Sequence, residues 1–338
     1  MTGFASRGDF EAALVALPVA DEAARAAAAA RQASLTKPAG SLGRLEEIAL
    51  FMAGWQGRER PRADAIQAVV FAGSHGVAAQ GVSAFPPEVT AQMVANFRQG
   101  GAAINALARA CGARLAVVPL DPDRPTADIT QSPAMTEAEC LAALNAGAGA
   151  LDQGIDLLFV GEMGIANTTS AAALCAQAFG GDAAQWVGRG SGIDDATMLR
   201  KTNAVARALA LHGAACDGPF ETLRRLGGRE IAAMAGAILA ARLRRVPVLL
   251  DGFICSAAIA PLAAVAPAIT RHCLAAHCSA EIAHDRLLAH LRLAPLLRLD
   301  MRLGEGSGAA VAAQIVRCAL AAHNEMATFA QAAVASAL

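Results

Sequence analysis

The chain contains no tyrosine, and aromatic residues are only 4% of its 338 residues. Single-stranded nucleic acid is held by stacking bases on aromatic rings, so this composition argues against such a platform. Excess charge is missing too: 28 Lys and Arg against 29 Asp and Glu leave a formal net charge of -1, with no basic tract. A nucleic-acid partner is therefore not expected. The eight cysteines form no CxxC pair. They read as small buried apolar groups in a reducing cytoplasm rather than as a disulfide framework. The N-terminal MTGFASRGDFEAAL carries charges where a secretory signal needs an apolar core. One long apolar run exists, at 246–269, but Asp251 lies inside it and Pro261 and Pro267 interrupt it. A central Asp is costly in a bilayer, so the run reads as a strand end turning into a helix, with no membrane span.

What is abundant is apolar residue, 55% of the chain, much of it alanine. Alanine is the best helix former, so many closely packed helices are expected. They are predicted over 8–33, 88–110 (weak at Gly100-Gly101), 136–150, 194–212, 229–244, 279–291 and the last thirty residues. Ser41 is expected to be the N-cap of a helix after TKPAGS. Between them lie short apolar runs without period-two alternation, at 66–73, 114–120, 156–164, 246–252 and 271–277. Such runs suit strands covered on both faces, and their alternation with helices implies a mostly parallel α/β sheet. Ligands then bind beyond the carboxyl ends of the strands, on a rim carrying SHGV (74–77), GEMGIANTT (161–169), DGF (251–253) and HCSAE (277–281).

Several rim loops can carry chemistry. In GEMGIANTTSAA, Gly164 permits a tight turn, and Asn167 or Thr168 can cap the next helix, leaving free N–H groups suited to a phosphate. The loop is neither GxGxxG nor GxxxxGK[ST], which disfavours nucleotide-triphosphate hydrolysis. GRGSGIDD (188–195) is a second glycine-rich loop, through Gly190, and Lys201 follows it; a solvated surface lysine fits the same pattern. Asp194-Asp195 lack a preceding β-branched run and read as helix caps. Glu305 sits in MRLGEGSGAA between Gly304 and Gly306. Apolar surroundings raise a carboxylate's pKa and poise it as a general base, although a plain loop glutamate before a helix has the same sequence. His272, Cys273, His277, Cys278 and His284 are zinc-type residues, but their spacing on a strand sends His272 and His277 to opposite faces, and no metal site is expected. A GxSxG elbow is absent.

Taken together, TKPAGSLGRLE (36–46), HGVAAQGVSAFPPEVTAQMVANF (75–97), VGEMGIANTTSAA (160–172), VPVLLDGF (246–253), HCSAE (277–281) and MRLGEGSGAA (301–310) resemble the nicotinate-nucleotide:dimethylbenzimidazole phosphoribosyltransferase family. The resemblance runs from about residue 30 to 315. It implies a Rossmann-like α/β domain over 60–305, a small helical domain from 1–59 and 306–338, and a homodimer. It also implies the reaction: nicotinate mononucleotide gives its 5-phosphoribosyl group to 5,6-dimethylbenzimidazole, forming α-ribazole 5′-phosphate and nicotinate for the cobalamin lower ligand. Glu305 matches the family's general base, and Glu162 its second active-site glutamate. Gly164, Asn167, Thr168, Gly190 and Lys201 then hold phosphate and ribose, and Phe85, Met93 and Leu303 sandwich the flat base. Pyridinium departure needs neither acid, metal nor cofactor. Ser74 stands where Asp or Asn is common, and Ser191 and Ser307 where Thr is. Two other readings suit the residues alone: another phosphosugar- or nucleotide-binding transferase on this fold, and a non-catalytic nucleotide-binding regulator.

Overall fold

The computed structural model describes residues 3–190 and 192–335. Ser191 therefore lies outside the described residues. Among those described, β1 (Ile66–Ala72), β2 (Ala113–Pro119), β3 (Leu157–Met163), β4 (Val248–Leu250) and β5 (Cys273–Ala275) form one parallel sheet in the order β2-β1-β3-β4-β5. The helices are α1 (Arg7–Val15), α2 (Glu22–Ser34), α3 (Arg44–Gln56), α4 (Val89–Gln99), α5 (Ala103–Cys111), α6 (Glu137–Gly149), α7 (Asn167–Phe179) and α8 (Asp195–His212). They continue with α9 (Pro219–Leu226), α10 (Arg229–Leu243), α11 (Phe253–Ala258), α12 (Ala260–Val265), α13 (Ile282–Leu291), α14 (Ser307–Glu325) and α15 (Phe329–Ala332).

Both sheet faces are covered, which is why the strands read as unbroken apolar runs. In β1, Ile66, Ala68 and Val70 face one core with α3, α5 and α14, while Val69 and Phe71 face the other with α6, α7, α10 and α11. β3 divides in the same way, Leu157 and Phe159 against Leu158 and Val160. Alternate side chains of a strand point to opposite faces, so each β residue commits to one core. Truncating a ring such as Phe159, fully enclosed here, costs about 3–5 kcal/mol through lost transfer energy and the cavity left behind. Alanines at 309, 310, 312 and 313 let α14 lie close on β3 and β4.

Local chemistry moved several boundaries. The helix expected over 8–33 is two, because Pro18 lies between them and Asp21 starts the second by accepting the Ala24 N–H at 2.9 Å. The 88–110 helix breaks at Gly100, whose φ of +81° ends α4 with its N–H turned back to Asn96 and Phe97. Ser41 is not an N-cap: α3 starts after Gly43 at φ +53°, and Glu46 instead satisfies the Leu42 N–H. The strand expected over 271–277 keeps only three residues, with His272 in a preceding 3-10 turn and His277 beyond the strand. α13 starts at Ile282 rather than 279, and the C-terminal helix ends at Glu325 before the short α15. Asp194 does cap α8, accepting the Thr197 N–H at 2.8 Å. Of the cysteines, Cys216 is half-buried and Cys318 exposed, whereas the other six are buried. Among the described residues no helix is long and apolar enough to cross a membrane.

Candidate active site

A cavity of about 350 Å³ opens at the carboxyl ends of β1, β3, β4 and β5, closed on its last side by the 302–305 loop and by α8. Every candidate residue from the sequence lines it: Glu162, Gly164, Asn167 and Thr168 after β3, Gly190 and Lys201 around the start of α8, Phe85 and Met93 after β1, and Leu303 and Glu305 before α14.

The two carboxylates come from directly apposed backbones. The Glu305 N–H donates to the Glu162 carbonyl at 3.3 Å. This approach requires Gly161, since a Cβ there would overlap the Glu305 carbonyl carbon and oxygen. Glu305 itself adopts φ +63°, a left-handed conformation that a non-glycine residue holds only where its surroundings enforce it. Its side chain is buried and accepts the Ile104 N–H at 3.3 Å. Burial pushes the Glu305 carboxyl above its ordinary range, opposed by that one N–H. Glu162 is pushed up to about 8, chiefly by burial and further by the nearby carboxylates of Glu230, Asp251 and Glu305, against the Asn167 amide that donates to its Oε2 at 2.5 Å. A carboxyl held near neutrality can take up or release a proton at physiological pH.

The start of α7 differs from the sequence expectation. Ala166, at φ +71°, occupies the N-cap position without a side-chain cap, and Asn167 is the first helical residue with its amide spent on Glu162. Neither Asn167 nor Thr168 is the cap. The Thr168 N–H has no acceptor among the described residues, so a donor still faces the cavity at the positive end of the helix dipole. Lys201 is buried rather than solvated. Its Nζ donates to Thr168 Oγ1 and to the Gly188 carbonyl, each at 2.9 Å, and burial lowers it to about 8. A hydroxyl, a backbone N–H, an ammonium and the Gly190 backbone converge on one spot suited to an anion. At the mouth, Phe85 and Leu303 are exposed large apolar side chains, with half-buried Met93 and buried Phe253 behind them. Together these walls suit a flat apolar ring beside a phosphate.

The family model described as phosphoribosyltransferase matches residues 17–334. Nicotinate-nucleotide–dimethylbenzimidazole phosphoribosyltransferase of Novosphingobium aromaticivorans is 64% identical over 338 residues, 100% of both chains. The Ruegeria pomeroyi protein of that name is 61% identical over 325 residues, 96% of each chain. The crystal structure of CobT from Thermus thermophilus superposes with a TM-score of 0.86 at 41% identity, covering 93% of this chain and 100% of that one. The chain belongs to the nicotinate-nucleotide–dimethylbenzimidazole phosphoribosyltransferase family.

Family membership leaves this chain's own substitutions to the structure. Ser74 donates to the Pro122 carbonyl at 2.5 Å and accepts the Thr126 N–H through its own carbonyl, so it ties the end of β1 to the following loop. Ser307 is buried as the first residue of α14. The zinc-type residues are used individually: His272 bonds the Ile269 and Ile238 carbonyls, and His284 bonds Ser256 and Ser279. His277 lines the cavity, its Nε2 3.6 Å from Asp251 Oδ1.

Sequence reasoning placed DGF and HCSAE on the rim but gave Asp251, His277 and Ser279 no role. Asp251 accepts the Gly306 N–H at 3.2 Å and the Ala309 N–H at 2.8 Å, capping α14 from across the sheet. Burial pushes Asp251 up to about 7 even so. The available signal was an isolated acid at the end of an apolar strand. Arg189 and Arg302 also line the cavity and were likewise missed.

Proposed function

We propose that the protein transfers the 5-phosphoribosyl group of nicotinate mononucleotide to 5,6-dimethylbenzimidazole, releasing nicotinate and forming α-ribazole 5′-phosphate for the cobalamin lower ligand. The observation that carries this reading is one cavity holding two buried carboxylates, an anion-suited helix start with Lys201, and apolar walls. In this reading the Thr168 N–H, Asn167, the Gly164 and Gly190 backbones and Lys201 hold the phosphate and ribose, fixing C1′. Phe85, Met93 and Leu303 hold the benzimidazole with its unprotonated nitrogen toward C1′. As the new bond forms, the other ring nitrogen becomes acidic and Glu305 takes its proton. Glu162 holds the ribose beside C1′ through its carboxyl. The C1′–N bond breaks with its electron pair going to the pyridinium nitrogen, so the ring leaves as a neutral pyridine bearing its carboxylate; the reaction needs no separate acid, and positioning supplies much of the rate.

The same reading includes a homodimer in the cytoplasm and a helical unit built from the chain ends beside the 60–305 domain. Supporting that unit, Arg31 donates to the His323, Asn324 and Met326 carbonyls, and Leu35 pairs with Thr328. Other packing crosses the boundary: α1 rests on α9 through Phe10 and Phe220, and α14 lies on the sheet. The deciding experiment incubates the protein with nicotinate mononucleotide and follows free nicotinate. Release only on addition of the benzimidazole is expected. Release without it, or none with it, overturns the assignment.

A further inference from the structure

Behind the cavity, outside the residues assigned above, lies a buried pair. His75 follows β1 and Glu230 opens α10, 155 residues apart in sequence, and their side chains are fully enclosed. His75 Nε2 lies 2.5 Å from Glu230 Oε1, and His75 Nδ1 lies 3.1 Å from Ser170 Oγ of α7. Three glycines close around the Glu230 carboxylate. A Cβ at Gly73 would lie 2.7 Å from Oε2, at Gly228 3.0 Å from Oε2, and at Gly164 2.9 Å from Oε1. A Cβ at any of the three would force its neighbours to shift, so the carboxylate meets backbone from the residue after β1, from the loop after β3 and from the N-cap of α10. Gly164 is also where the pair meets the cavity: the same Cβ would lie 3.2 Å from the Asn167 amide nitrogen, the donor to Glu162. Glu230 Oε2 has no hydrogen-bond partner among the described residues. A buried acceptor left open is costly, which argues for a purpose other than stability.

We propose that His75 and Glu230 are positioning residues for the transfer, a buried imidazole–carboxylate pair that braces the Gly161–Asn167 loop from behind and keeps a negative charge beside Glu162. This rests on the transfer reading above. His75 gives this enclosed carboxylate its hydrogen-bond partner, and burying a carboxylate without one is costly. The groups facing Glu162 are Asn167 of α7, Glu230 of α10, Asp251 after β4 and Glu305 before α14. Of the three carboxylates, Glu230 is the one with an imidazole partner at hydrogen-bond distance and no place in the cavity lining. Its charge adds to burial in holding the Glu162 proton to higher pH.

The test reads Glu162 directly in the intact protein. The infrared band of its protonated carboxyl, identified by its loss in Glu162→Gln, is titrated in wild type, Glu230→Gln, His75→Gln and the double variant. The midpoint is expected to fall by about one pH unit in Glu230→Gln, the size of a nearby like charge removed. It should move in His75→Gln as well, where Glu230 loses its hydrogen-bond partner and the loop its brace, and the double variant should match Glu230→Gln. A midpoint that stays put while the melting temperature drops means the pair is merely structural and overturns the proposal. If one single variant does not fold, the other carries the same readout. The pH limb of nicotinate release should move with the band. A wild-type protein that releases no nicotinate refutes the transfer reading, and the band titration still decides the pair.

Discussion

The Asp251 carboxylate accepts the backbone N–H of Ala309 at 2.8 Å, so the end of β4 caps a helix that starts more than fifty residues later. The same carboxylate reaches the Gly306 N–H, the residue next to Glu305. One side chain thus fixes both the start of α14 and the strained loop that aims Glu305. Asp251→Ala removes this cap and should lower stability by roughly 0.5–2 kcal/mol, the usual cost of losing one. Turnover should fall by more than the loss of folded protein accounts for. Chemical denaturation together with kcat checks this, and unchanged turnover in the folded fraction refutes it.

Glu305→Gln keeps the shape of the side chain and its contact with the Ile104 N–H but cannot take a proton. Turnover should drop by roughly two to four powers of ten, the range for a general base, with nicotinate mononucleotide binding kept. Near wild-type turnover in a folded variant rules Glu305 out as the base.

Lys201→Ala should weaken nicotinate mononucleotide binding by about 1.5–3 kcal/mol, as for a hydrogen bond to a charged group, and leave dimethylbenzimidazole binding largely intact. The unphosphorylated riboside should bind wild type and variant alike. Because burial holds Lys201 down at about 8, affinity for the mononucleotide should also decline as pH rises past that value. Titration calorimetry at pH 7 and 9 measures both effects. Equal losses for riboside and mononucleotide would place Lys201 away from the phosphate.

Glu162 makes a pH prediction of known sign. Its folded pKa, about 8, lies above its ordinary 4.5, so the folded state binds more protons than the unfolded between those values. Stability from this group is present at low pH and is lost as pH rises through that window, at up to about 1.4 kcal/mol per pH unit. Glu162→Gln should flatten that slope, seen by denaturation at pH 5.5 and pH 8. Lost turnover at unchanged melting temperature supports a role in the chemistry. A large stability loss with proportionate activity in the folded fraction makes Glu162 a loop support.

Much of this was legible because it is local. The strands announced themselves as apolar runs, since both of their faces are covered. Lys201 was less legible: a lysine after a glycine-rich loop reads equally as solvated, and only the packing of α8 against the start of α7 buries it. The cap of α7 was misread because Asn167 has the chemistry of a cap, yet a stronger local partner, the Glu162 carboxylate, takes its amide.

By itself, the sequence determined the parallel α/β class, the rim on which the site lies, the family resemblance and the ten-odd side chains worth naming. All of these follow from composition, periodicity and contiguous motifs. The tertiary structure alone decided which buried polar groups satisfy one another. Asp251 with the α14 N-terminus, His75 with Glu230, and Glu305 lodged against Gly161 are each joined across long stretches of chain. The reason is physical: burial forces a polar atom to find a partner, but proximity in the fold, not along the chain, selects which one.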